Sequence, residues 1–372
     1  MISVMGLIYT GESDSNLRDL TLYRSISALP FAGRYRVIDF LLSNMTNSGI
    51  RNVGVIMQKN YHSLMDHLGS GKEWDLHGKH DGLKILPPFL TRENVGVYTG
   101  SVDALRSNLS FLSHGKQDYV VLTDSRTVFN TDFNDMIRAH IDSGADVTAM
   151  YSKDEALRRP EEGFYFEVGE KQRVTGITYA PTHPGENTAM QVFVLRREML
   201  WELVEEAASK GCHSFFRDVL QPKVADGTLR MYGYEFTGKA YLIDSVPSYF
   251  AANMALLNKE NRQELFCRET PVLTKVRDEM PAKYLTGAKV ANSLVADGCV
   301  LEGTVENSIL FRHVSVAKGA VVKNCIIFQD GQICEGTHLE NCIIDKDTVI
   351  QKGTTLIGPA THPIVLSKGT KI

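Results

Sequence analysis

Hydrophobic and polar residues follow two different patterns along the chain, and the pattern changes near residue 250. In the first part, short apolar runs rich in β-branched residues alternate with segments whose apolar residues recur every three or four positions. The runs predict buried strands and the segments predict amphipathic helices. Strands are predicted at 2–9, 53–57, 119–123 and 147–151, and helices at 101–112, 131–141, 199–208, 214–219 and 247–258. This alternation predicts a doubly wound, Rossmann-like α/β domain with a parallel sheet over residues 1–250.

The last part of the chain is repetitive. The motif Asn-(Ser/Cys)-(Leu/Ile) occurs four times, beginning at Asn292, Asn307, Asn324 and Asn341. The copies are therefore 15, 17 and 17 residues apart. A coil of three six-residue faces, each with a small or aliphatic residue inside, has a period of about 18. The repeat predicts a left-handed parallel β-helix of hexapeptide type over residues 286–372, preceded by a charged connector over 251–285.

Composition and charge restrict the class of protein. Of the 372 residues 43% are hydrophobic and 23% charged, and the net charge is -4 with a pI near 6.3. A nucleic-acid or membrane-surface function would favour a basic face, so we expect neither. The first apolar run follows no basic residue and is too short to span a bilayer. We expect a metabolic protein of the cytoplasm.

The six cysteines contain no Cys-x-x-Cys pair and have no histidine-rich neighbourhood. Buried thiols in a reducing compartment are therefore the better interpretation, and no metal site is expected from them. In stacked coils, Cys325 would lie above Cys342, and both side chains would point inward.

The segment after the first predicted strand lies where a phosphate-cradling glycine loop would stand, but its chemistry differs. Gly11 is followed by Glu12 and Asp14 instead of further glycines. Side chains at such positions prevent the backbone from approaching a phosphate closely. Their charge adds a repulsion of roughly 4 kcal/mol for like charges about 4 Å apart at an effective dielectric near 20.

Four motifs in order carry a family resemblance over almost the whole chain: PFAGRYRVIDFLLSNMTNSGI at 30–50, HLGSGKEWDL at 67–76, YTGSVDAL at 98–105 and YFAANM at 249–254. With the predicted architecture, the chain resembles the sugar-1-phosphate nucleotidyltransferases, specifically the ADP-glucose pyrophosphorylases. Within these it is similar to the non-catalytic GlgD-type subunits. In the family reaction, a sugar-phosphate oxygen attacks the α-phosphorus of a nucleoside triphosphate and pyrophosphate leaves. The protein contributes positioning and neutralisation of charge.

The resemblance implies that the catalytic positions are degenerate. Glu12 and Asp14 match loop glycines, and Asn16 matches the loop arginine. Ile26 matches a lysine of the substrate site, and Ala180 matches the lysine of the sugar-phosphate motif, with Ala189 at a nearby serine.

Arg126 and Leu242 match the two aspartates that bind Mg²⁺. An arginine and a leucine offer no oxygen donors to a hard cation. The resemblance therefore implies no catalytic residues and no metal or other cofactor in this chain, with Mg²⁺ bound only by a catalytic partner subunit.

Other positions keep family residues. Gly11, Gln58, Gly100 and Asp103 match positions around the nucleotide, and Arg126 could add a cation there, although pairing with Asp124 or Asp132 is the alternative. Arg24, Arg34 and Arg36 match or adjoin positions that bind anionic effectors, and solvated surface charge is the alternative for all three.

Three hypotheses of function remain at this point. The first is a catalytically degenerate subunit that assembles with a catalytic ADP-glucose pyrophosphorylase subunit, as a heterotetramer, and modulates its activity. The second is a weakly active glucose-1-phosphate adenylyltransferase that uses Asp124 and Asp244 in a rearranged metal site. The third places acyltransferase chemistry on His313 or His338 of the β-helix.

Overall fold

The computed structural model describes residues 2–11, 15–79, 81–88, 98–159 and 162–372. The chain divides into two compact units, each made of several segments. The first unit contains Met1–Glu12, Phe40–Tyr241 and Arg268–Leu273, and the second contains Ser13–Asp39, Leu242–Cys267 and Thr274–Ile372. The boundaries thus differ from the predicted ones, because 13–39 and 242–267 belong with the repetitive part of the chain.

The first unit is built on a nine-stranded sheet, whose strands we number β1–β9 in chain order. They are β1 (Val4–Tyr9), β2 (Asn52–Ile56), β3 (Gly82–Leu86), β4 (Tyr119–Asp124), β5 (Val147–Ser152), β6 (Phe164–Val168), β7 (Val174–Tyr179), β8 (Thr188–Arg196) and β9 (Met231–Glu235). The order is β7-β6-β8-β4-β1-β2-β3, and β5 pairs with β8 and β9. Two further strands, Thr127–Phe129 and Ala240–Leu242, pair with each other.

The α-helices are numbered α1–α9 along the chain. They are α1 (Val37–Asn47), α2 (His62–Leu68), α3 (Ser101–Ser107), α4 (Leu109–His114), α5 (Asn134–Ser143), α6 (Arg197–Ser209), α7 (Gln221–Ala225), α8 (Val246–Ala255) and α9 (Lys259–Leu265). Short 3₁₀ turns occur at Ser15–Thr21, Ile26–Ala28, Lys72–Trp74, Glu155–Leu157 and Glu170–Gln172, and a π-helical turn occurs at Phe215–Leu220. None of these helices is both long and apolar enough to cross a membrane.

The doubly wound class is confirmed, but the strands of the sheet do not all run in the same direction. Strands β3, β2, β1 and β4 are parallel, whereas β8 runs antiparallel to both β4 and β5. The short connection at 169–173 cannot hold a crossover helix, and β6 and β7 accordingly pair antiparallel. Helix α6 packs on the face of the sheet that carries Val147 and Ala149, and α5 packs against the opposite face at Thr148.

The predicted helix at 101–112 is two helices, α3 and α4, that meet at Asn108. The Asn108 amide donates hydrogen bonds to the Ala104 carbonyl at 2.8 Å and to the Tyr98 hydroxyl at 3.2 Å. An asparagine side chain that competes for backbone groups in this way interrupts a helix. The apolar periodicity continues across the break, which is why the sequence pattern did not reveal it.

The repetitive part of the second unit consists of three parallel five-stranded sheets. Their strands are Lys283–Tyr284, Val300–Leu301, Ser315–Val316, Gln332–Ile333 and Val349–Ile350; Lys289–Ala291, Thr304–Glu306, Val321–Lys323, His338–Glu340 and Thr355–Ile357; and Leu294–Val295, Ile309–Leu310, Ile326–Ile327, Cys342–Ile344 and Ile364–Leu366. Each strand pairs with the strand one coil away. The predicted left-handed β-helix is confirmed.

The asparagines of the repeat stand at the corners of the coils. All four have left-handed backbone angles, with φ of 42° at Asn292, 47° at Asn307, 48° at Asn324 and 51° at Asn341. Asparagine tolerates this region better than other residues with a side chain. The predicted stacking of Cys325 over Cys342 is also confirmed, since both are buried and unoxidised and belong to adjacent coils.

The second unit contains more regular structure than the predicted connector at 251–285 allows. Helix α8 reaches Ala255, and α9 occupies Lys259–Leu265. The Asn258 side chain accepts hydrogen bonds from the backbone N–H groups of Glu260 and Asn261, which is a standard helix N-cap. Part of the predicted connector is therefore helical, and the charge of the segment concealed the capped helix α9.

A buried ion pair attaches the segment 13–39 to the β-helix within the second unit. Arg24 Nη1 and Nη2 lie 2.9 Å from Asp345 Oδ2 and Oδ1, and the two side chains are 3% and 1% exposed. The guanidinium carbon also lies 5.9 Å from the centre of the Phe328 ring. The two-pronged geometry satisfies both charges and compensates for much of the cost of removing them from water.

Replacing Asp345 with alanine should destabilise the second unit strongly. The change leaves the Arg24 guanidinium buried without its counter-charge, which costs about 3–5 kcal/mol. The matched control is Glu335→Ala, because Glu335 forms an exposed pair with Lys352 in the same β-helix and should lose at most about 1 kcal/mol. Urea unfolding followed by circular dichroism measures both variants. Equal stabilities would contradict the assigned role of the buried pair.

Candidate functional site

The candidate site lies at the carboxyl ends of β1 and β4. The chain goes from β1 to β2 on one side of β1, while β4 lies on its other side. Ligands of open α/β sheets bind at such a switch in strand order. Tyr9, the last residue of β1, is in register with Asp124, the last residue of β4. The residues that follow these two strands therefore form the floor of the expected nucleotide cleft.

At the end of β1, the chain is held by its own side chains. The Tyr9 hydroxyl donates to the Gly11 carbonyl at 3.1 Å, and a β-carbon on Gly11 would meet the Tyr9 ring. The Thr10 hydroxyl donates to the Ile56 carbonyl at 2.9 Å. Glu12 and Asp14 lie outside the described residues, so the structure says nothing about their effect on the loop.

At the end of β4, Arg126 is paired with Asp124. Arg126 Nε lies 3.3 Å from Asp124 Oδ2, and the Arg126 backbone N–H donates to Asp124 Oδ1 at 3.3 Å. Asp124 is only 6% exposed and Arg126 17%. Asp132 instead accepts from the Asn134 backbone at 2.8 Å. Of the two alternatives stated for Arg126, internal pairing with Asp124 is therefore confirmed.

This donor set does not fit Mg²⁺. A hard divalent cation requires several oxygen ligands, and the residue at the first metal position is a guanidinium. The nearest carboxylate, Asp124, is already bound to it on both oxygens. Leu242, at the second position, ends a short strand and is partly buried. We therefore assign no step of a reaction to a metal in this chain.

The residues matched to the nucleotide-binding positions hold one loop together. Gln58 Nε2 donates to the Tyr98 carbonyl at 2.8 Å, and Asp103 Oδ2 accepts from the Thr99 backbone at 3.0 Å. Gly100 lies so close to the carbonyl oxygen of His213 that a β-carbon there would collide with it. The structure thus brings Gln58, Gly100 and Asp103 together.

His213 is a part of this loop that the sequence did not indicate. Its carbonyl oxygen accepts from the Val102 backbone at 3.0 Å and so caps α3. The Asp218 carboxylate in turn accepts from the backbone of His213 and Ser214, at 3.0 and 2.8 Å. No sequence signal marks a backbone contact between residues so far apart.

The other residues that the resemblance matches to catalytic positions have uncharged side chains. Ala180 follows β7 with a left-handed φ of 45°, and its N–H donates to the Gly163 carbonyl at 2.9 Å. Ala189 lies in β8 opposite Tyr151. In the second unit, Asn16 is exposed on a 3₁₀ turn and Ile26 is buried in the core. A phosphate ester would find no counter-charge on these side chains.

The three arginines proposed for an effector have different environments within the second unit. Arg24 is buried and bound to Asp345, so it offers no position to an effector and is not a solvated surface charge, which corrects both expectations for it. Arg34 is exposed, with its guanidinium carbon 5.9 Å from the centre of the Tyr35 ring. Arg36 is half-buried and remains a candidate.

Lys346 is a further candidate beside Arg36, and no sequence pattern predicted it. Burial, with smaller contributions from Arg36 and Arg24, lowers the pKa of Lys346 to about 7. Lys368 acts in the same direction, whereas Asp345 opposes it. Cations crowded in this way favour a bound anion. Lys346 lies in the β-helix repeat, far from these arginines along the chain, so the sequence does not associate it with them.

The two candidate histidines of the β-helix, His313 and His338, lie beside carboxylates. His313 Nε2 lies 2.6 Å from Glu279 Oε2, and its Nδ1 lies 3.3 Å from Asp330 Oδ1. His338 Nε2 lies 3.8 Å from Glu340 Oε2. With both ring nitrogens in contact with carboxylates, His313 lacks the open nitrogen that a general base needs. The geometry gives the acyltransferase hypothesis no support.

Replacing Gly100 with alanine should disturb the loop at 98–103. The added β-carbon would collide with the His213 carbonyl, and such overpacking typically costs 1–3 kcal/mol. Gly185→Ala is the matched control, because a β-carbon there has only one neighbour, at 3.7 Å. Denaturant unfolding of both variants is the measurement. A Gly100→Ala variant as stable as the control would show that the contact is not a constraint.

Comparisons with known proteins agree with this architecture. Residues 5–259 match the model of the nucleotidyl transferase family, and residues 280–361 match that of the GlmU-like C-terminal hexapeptide family. A glycogen biosynthesis protein GlgD from Bacillus subtilis is 40% identical over 85% of this chain and 81% of its own length.

Two proteins from Geobacillus stearothermophilus are also similar. A glucose-1-phosphate adenylyltransferase is 34% identical and a GlgD protein is 37% identical, each over 86% of this chain and 82% of its own length. The resemblance deduced from the four motifs is confirmed. The chain belongs to the nucleotidyl transferase family, in the group that contains the GlgD-type glycogen biosynthesis proteins and the glucose-1-phosphate adenylyltransferases.

Proposed function

We propose that this protein is a catalytically degenerate subunit that assembles with a catalytic glucose-1-phosphate adenylyltransferase and modulates its synthesis of ADP-glucose for glycogen. The observation that carries the proposal is the Arg126–Asp124 pair at the end of β4. It puts a fixed positive charge where the reaction needs a metal ligand, and it occupies the carboxylate that could have replaced that ligand.

The alternative of a weakly active enzyme requires Asp124 to bind a metal. The metal would have to displace the Arg126 guanidinium from a carboxylate that is 6% exposed. Separating a buried pair leaves an uncompensated charge, which costs several kcal/mol. Mg²⁺ also gives up its bound water reluctantly, and this site would offer few protein oxygens in exchange. This cost is the physical reason to favour a subunit without turnover of its own.

Assembly with a second subunit is supported by the first coil of the β-helix. Met280, Tyr284 and Val300 are exposed by 80%, 55% and 40% in this region. Tyr284 belongs to the first coil of the stack and Val300 to the second, and within the described chain the strand Lys283–Tyr284 pairs on one side only. An open strand edge beside exposed apolar side chains favours contact with another protein chain. We propose the catalytic subunit as that partner.

The subunit hypothesis predicts that this chain releases no pyrophosphate by itself and that it changes the activity of a catalytic subunit when the two are mixed. Pyrophosphate release from ATP and glucose 1-phosphate with Mg²⁺ is measured for this chain, for a catalytic subunit and for both together. We expect no turnover by this chain and a changed rate or substrate saturation in the mixture. Tyr284→Lys should reduce the effect at least tenfold, because a charge at a buried apolar contact is costly.

The control for this experiment is Ile357→Lys, which alters another exposed apolar residue of the β-helix, 57% exposed. It should leave the effect of mixing unchanged. Turnover by the isolated chain that disappears in Asp124→Asn would overturn the proposal in favour of the weakly active enzyme.

We also propose an anionic effector that binds at Arg36 and Lys346 in the second unit. The folded-state pKa of Lys346, about 7, is below its ordinary value of 10.5. Between these values the unfolded chain binds more protons than the folded chain, so stability should rise with pH from 7 toward 10.5. A bound anion stabilises the charged lysine and should flatten this rise.

The measurement is the unfolding free energy at several pH values between 7 and 9, in chloride and in phosphate of equal ionic strength. Lys346→Met should remove the rise in chloride and the difference between the two salts. Because phosphate also stabilises proteins by exclusion from their surface, a difference that persists in Lys346→Met would contradict the anion site.

A further inference from the structure

A buried arginine with unpaired donors stands at a corner of the β-helix, in the second unit. Arg312 follows the strand Ile309–Leu310 and is only 6% exposed. Its Nε and Nη2 atoms are buried and have no hydrogen-bond partner among the described residues. A buried charge without a counter-charge destabilises a fold strongly. Nothing in the proposed function uses this side chain.

The two unpaired atoms of Arg312 have a specific geometry. One N–H bond of Nη2 is parallel to the N–H bond of Nε, because both belong to the same planar guanidinium. The two bonds form a fork that a carboxylate binds with both of its oxygens. Arg312 therefore presents an unfilled carboxylate fork as well as a positive charge.

Two further arginines lie near the fork. Burial lowers the pKa of Arg312, and the charges of Arg34 and Arg277 lower it further. The backbone also brings Arg34 to this corner, because a β-carbon on the preceding Gly33 would lie 3.9 Å from the Leu310 carbonyl oxygen. Arg34 and Arg277 are exposed, whereas Arg312 is buried. The corner thus contains one buried and two exposed cations.

The nearby carboxylates reduce this charge without filling the fork. Asp297 and Glu279 oppose the lowering of the pKa of Arg312, yet neither bonds to its Nε or Nη2. Glu279 Oε2 instead lies 2.6 Å from His313 Nε2, and Asp330 Oδ1 lies 3.3 Å from the other ring nitrogen. Three arginines against Asp297 and Glu279 leave one positive charge. A ligand with a single negative charge balances it, whereas a phosphate group near neutral pH carries almost two.

The next coil of the β-helix adds an unpaired acceptor. Leu310 pairs with Ile327, so Gln329 has the position in its coil that Arg312 has in the coil before. The Asp330 N–H donates to the Arg312 carbonyl at 3.1 Å, which joins the two corners. Gln329 Oε1 is buried and, in the part of the chain that the structure describes, has no hydrogen-bond partner. A donor fork beside such an acceptor matches a carboxylate that carries a neighbouring hydroxyl group.

We propose that this corner binds a small 2-hydroxy acid through its carboxylate. The two carboxylate oxygens accept from Arg312 Nε and Nη2, and the hydroxyl group on the adjacent carbon donates to Gln329 Oε1. Arg34 and Arg277 add positive charge on the exposed side. Water satisfies the donors but leaves the buried charge uncompensated, whereas a carboxylate does both.

The site is separate from the anion site proposed at Arg36 and Lys346. Gln329 and Lys346 occupy equivalent positions in adjacent coils, since Ile327 pairs with Ile344. Lys346 is therefore two coils away from Arg312, about 10 Å at a coil spacing of about 4.8 Å. A ligand bound at one of these positions does not need the other.

The test follows the Nε–H signal of Arg312 by NMR in the intact protein labelled with ¹⁵N-arginine, and its absence in Arg312→Met assigns it. Lactate should shift this signal until the site is saturated. Propionate, the same acid without the hydroxyl group, should bind roughly tenfold more weakly because Gln329 Oε1 is left unpaired. Gln329→Met should weaken lactate binding to the level of propionate and leave propionate binding unchanged.

Saturation transfer to the lactate methyl group measures binding in variants that lack the arginine signal. Arg312→Met and Arg312→Lys should both weaken binding at least tenfold, since lysine keeps the charge but not the fork. Lys318→Met is the matched control, because it removes an exposed cation of the same β-helix and should leave lactate binding unchanged. Thermal melting confirms that each variant is folded, and Arg312→Met should melt no lower than the unmodified chain because it removes an unpaired buried charge.

Several outcomes would overturn the site. They are the absence of a saturable shift at several tens of millimolar lactate, a shift caused by phosphate at lower concentrations than by lactate, and transfer to lactate that survives in Arg312→Met. Lys346→Met should leave lactate binding unchanged, and the readout is independent of pyrophosphate release. Failure of this site would therefore leave the proposed subunit function and the proposed effector site untouched, and the reverse also holds.

Discussion

The buried pair of Arg24 and Asp345 determines which segments of the chain belong together. The two residues are 321 positions apart, and each needs the other because a lone charge at that depth could not be solvated. The segment 13–39 therefore belongs to the unit of the β-helix and not to the unit of the α/β sheet. A division of the sequence at residue 250 does not show this connection. Arg24 and Asp345 belong to the same unit of the folded chain although they are far apart in the sequence.

A second pair of opposite charges, Arg126 and Asp124, shows how the end of β4 is satisfied by side chains of the chain itself. Loss of one metal ligand would leave the neighbouring carboxylate buried and unbalanced. An arginine two residues away supplies the balance from within the chain. The charges at the end of β4 are thus balanced without a metal ion. The side chains on which the proposal of a degenerate subunit rests are also the partners that hold the end of the sheet together.

The sequence predicted those parts of the fold that depend on local pattern. The repeat of Asn292 and its equivalents predicted the stacking of the coils, because an inward residue recurs with it; the left-handed corner at each asparagine is a finding of the structure. Apolar runs located β1, β2, β4 and β5, but not the parallel strands β3 and β9. Tertiary contacts could not be predicted from sequence. Asn108 interrupts a helix through its side-chain partners, the His213 carbonyl accepts from Val102 beside Gly100, and the pKa of Lys346 falls only through burial in the folded chain, with a smaller contribution from Arg36.

The coils differ in length at the corners between their faces, and this limits how the β-helix can evolve. Strand Val300–Leu301 pairs with Ser315–Val316, and Thr304–Glu306 pairs with Val321–Lys323. Two residues, 302–303, separate the first two of these strands in one coil, whereas four residues, 317–320, separate the equivalent strands in the next coil. The strands of both coils nevertheless stay in register. A single insertion within a face would turn inward side chains toward solvent. Inherited changes of length should therefore accumulate at corners or add and remove entire coils, so that the domain varies in discrete steps.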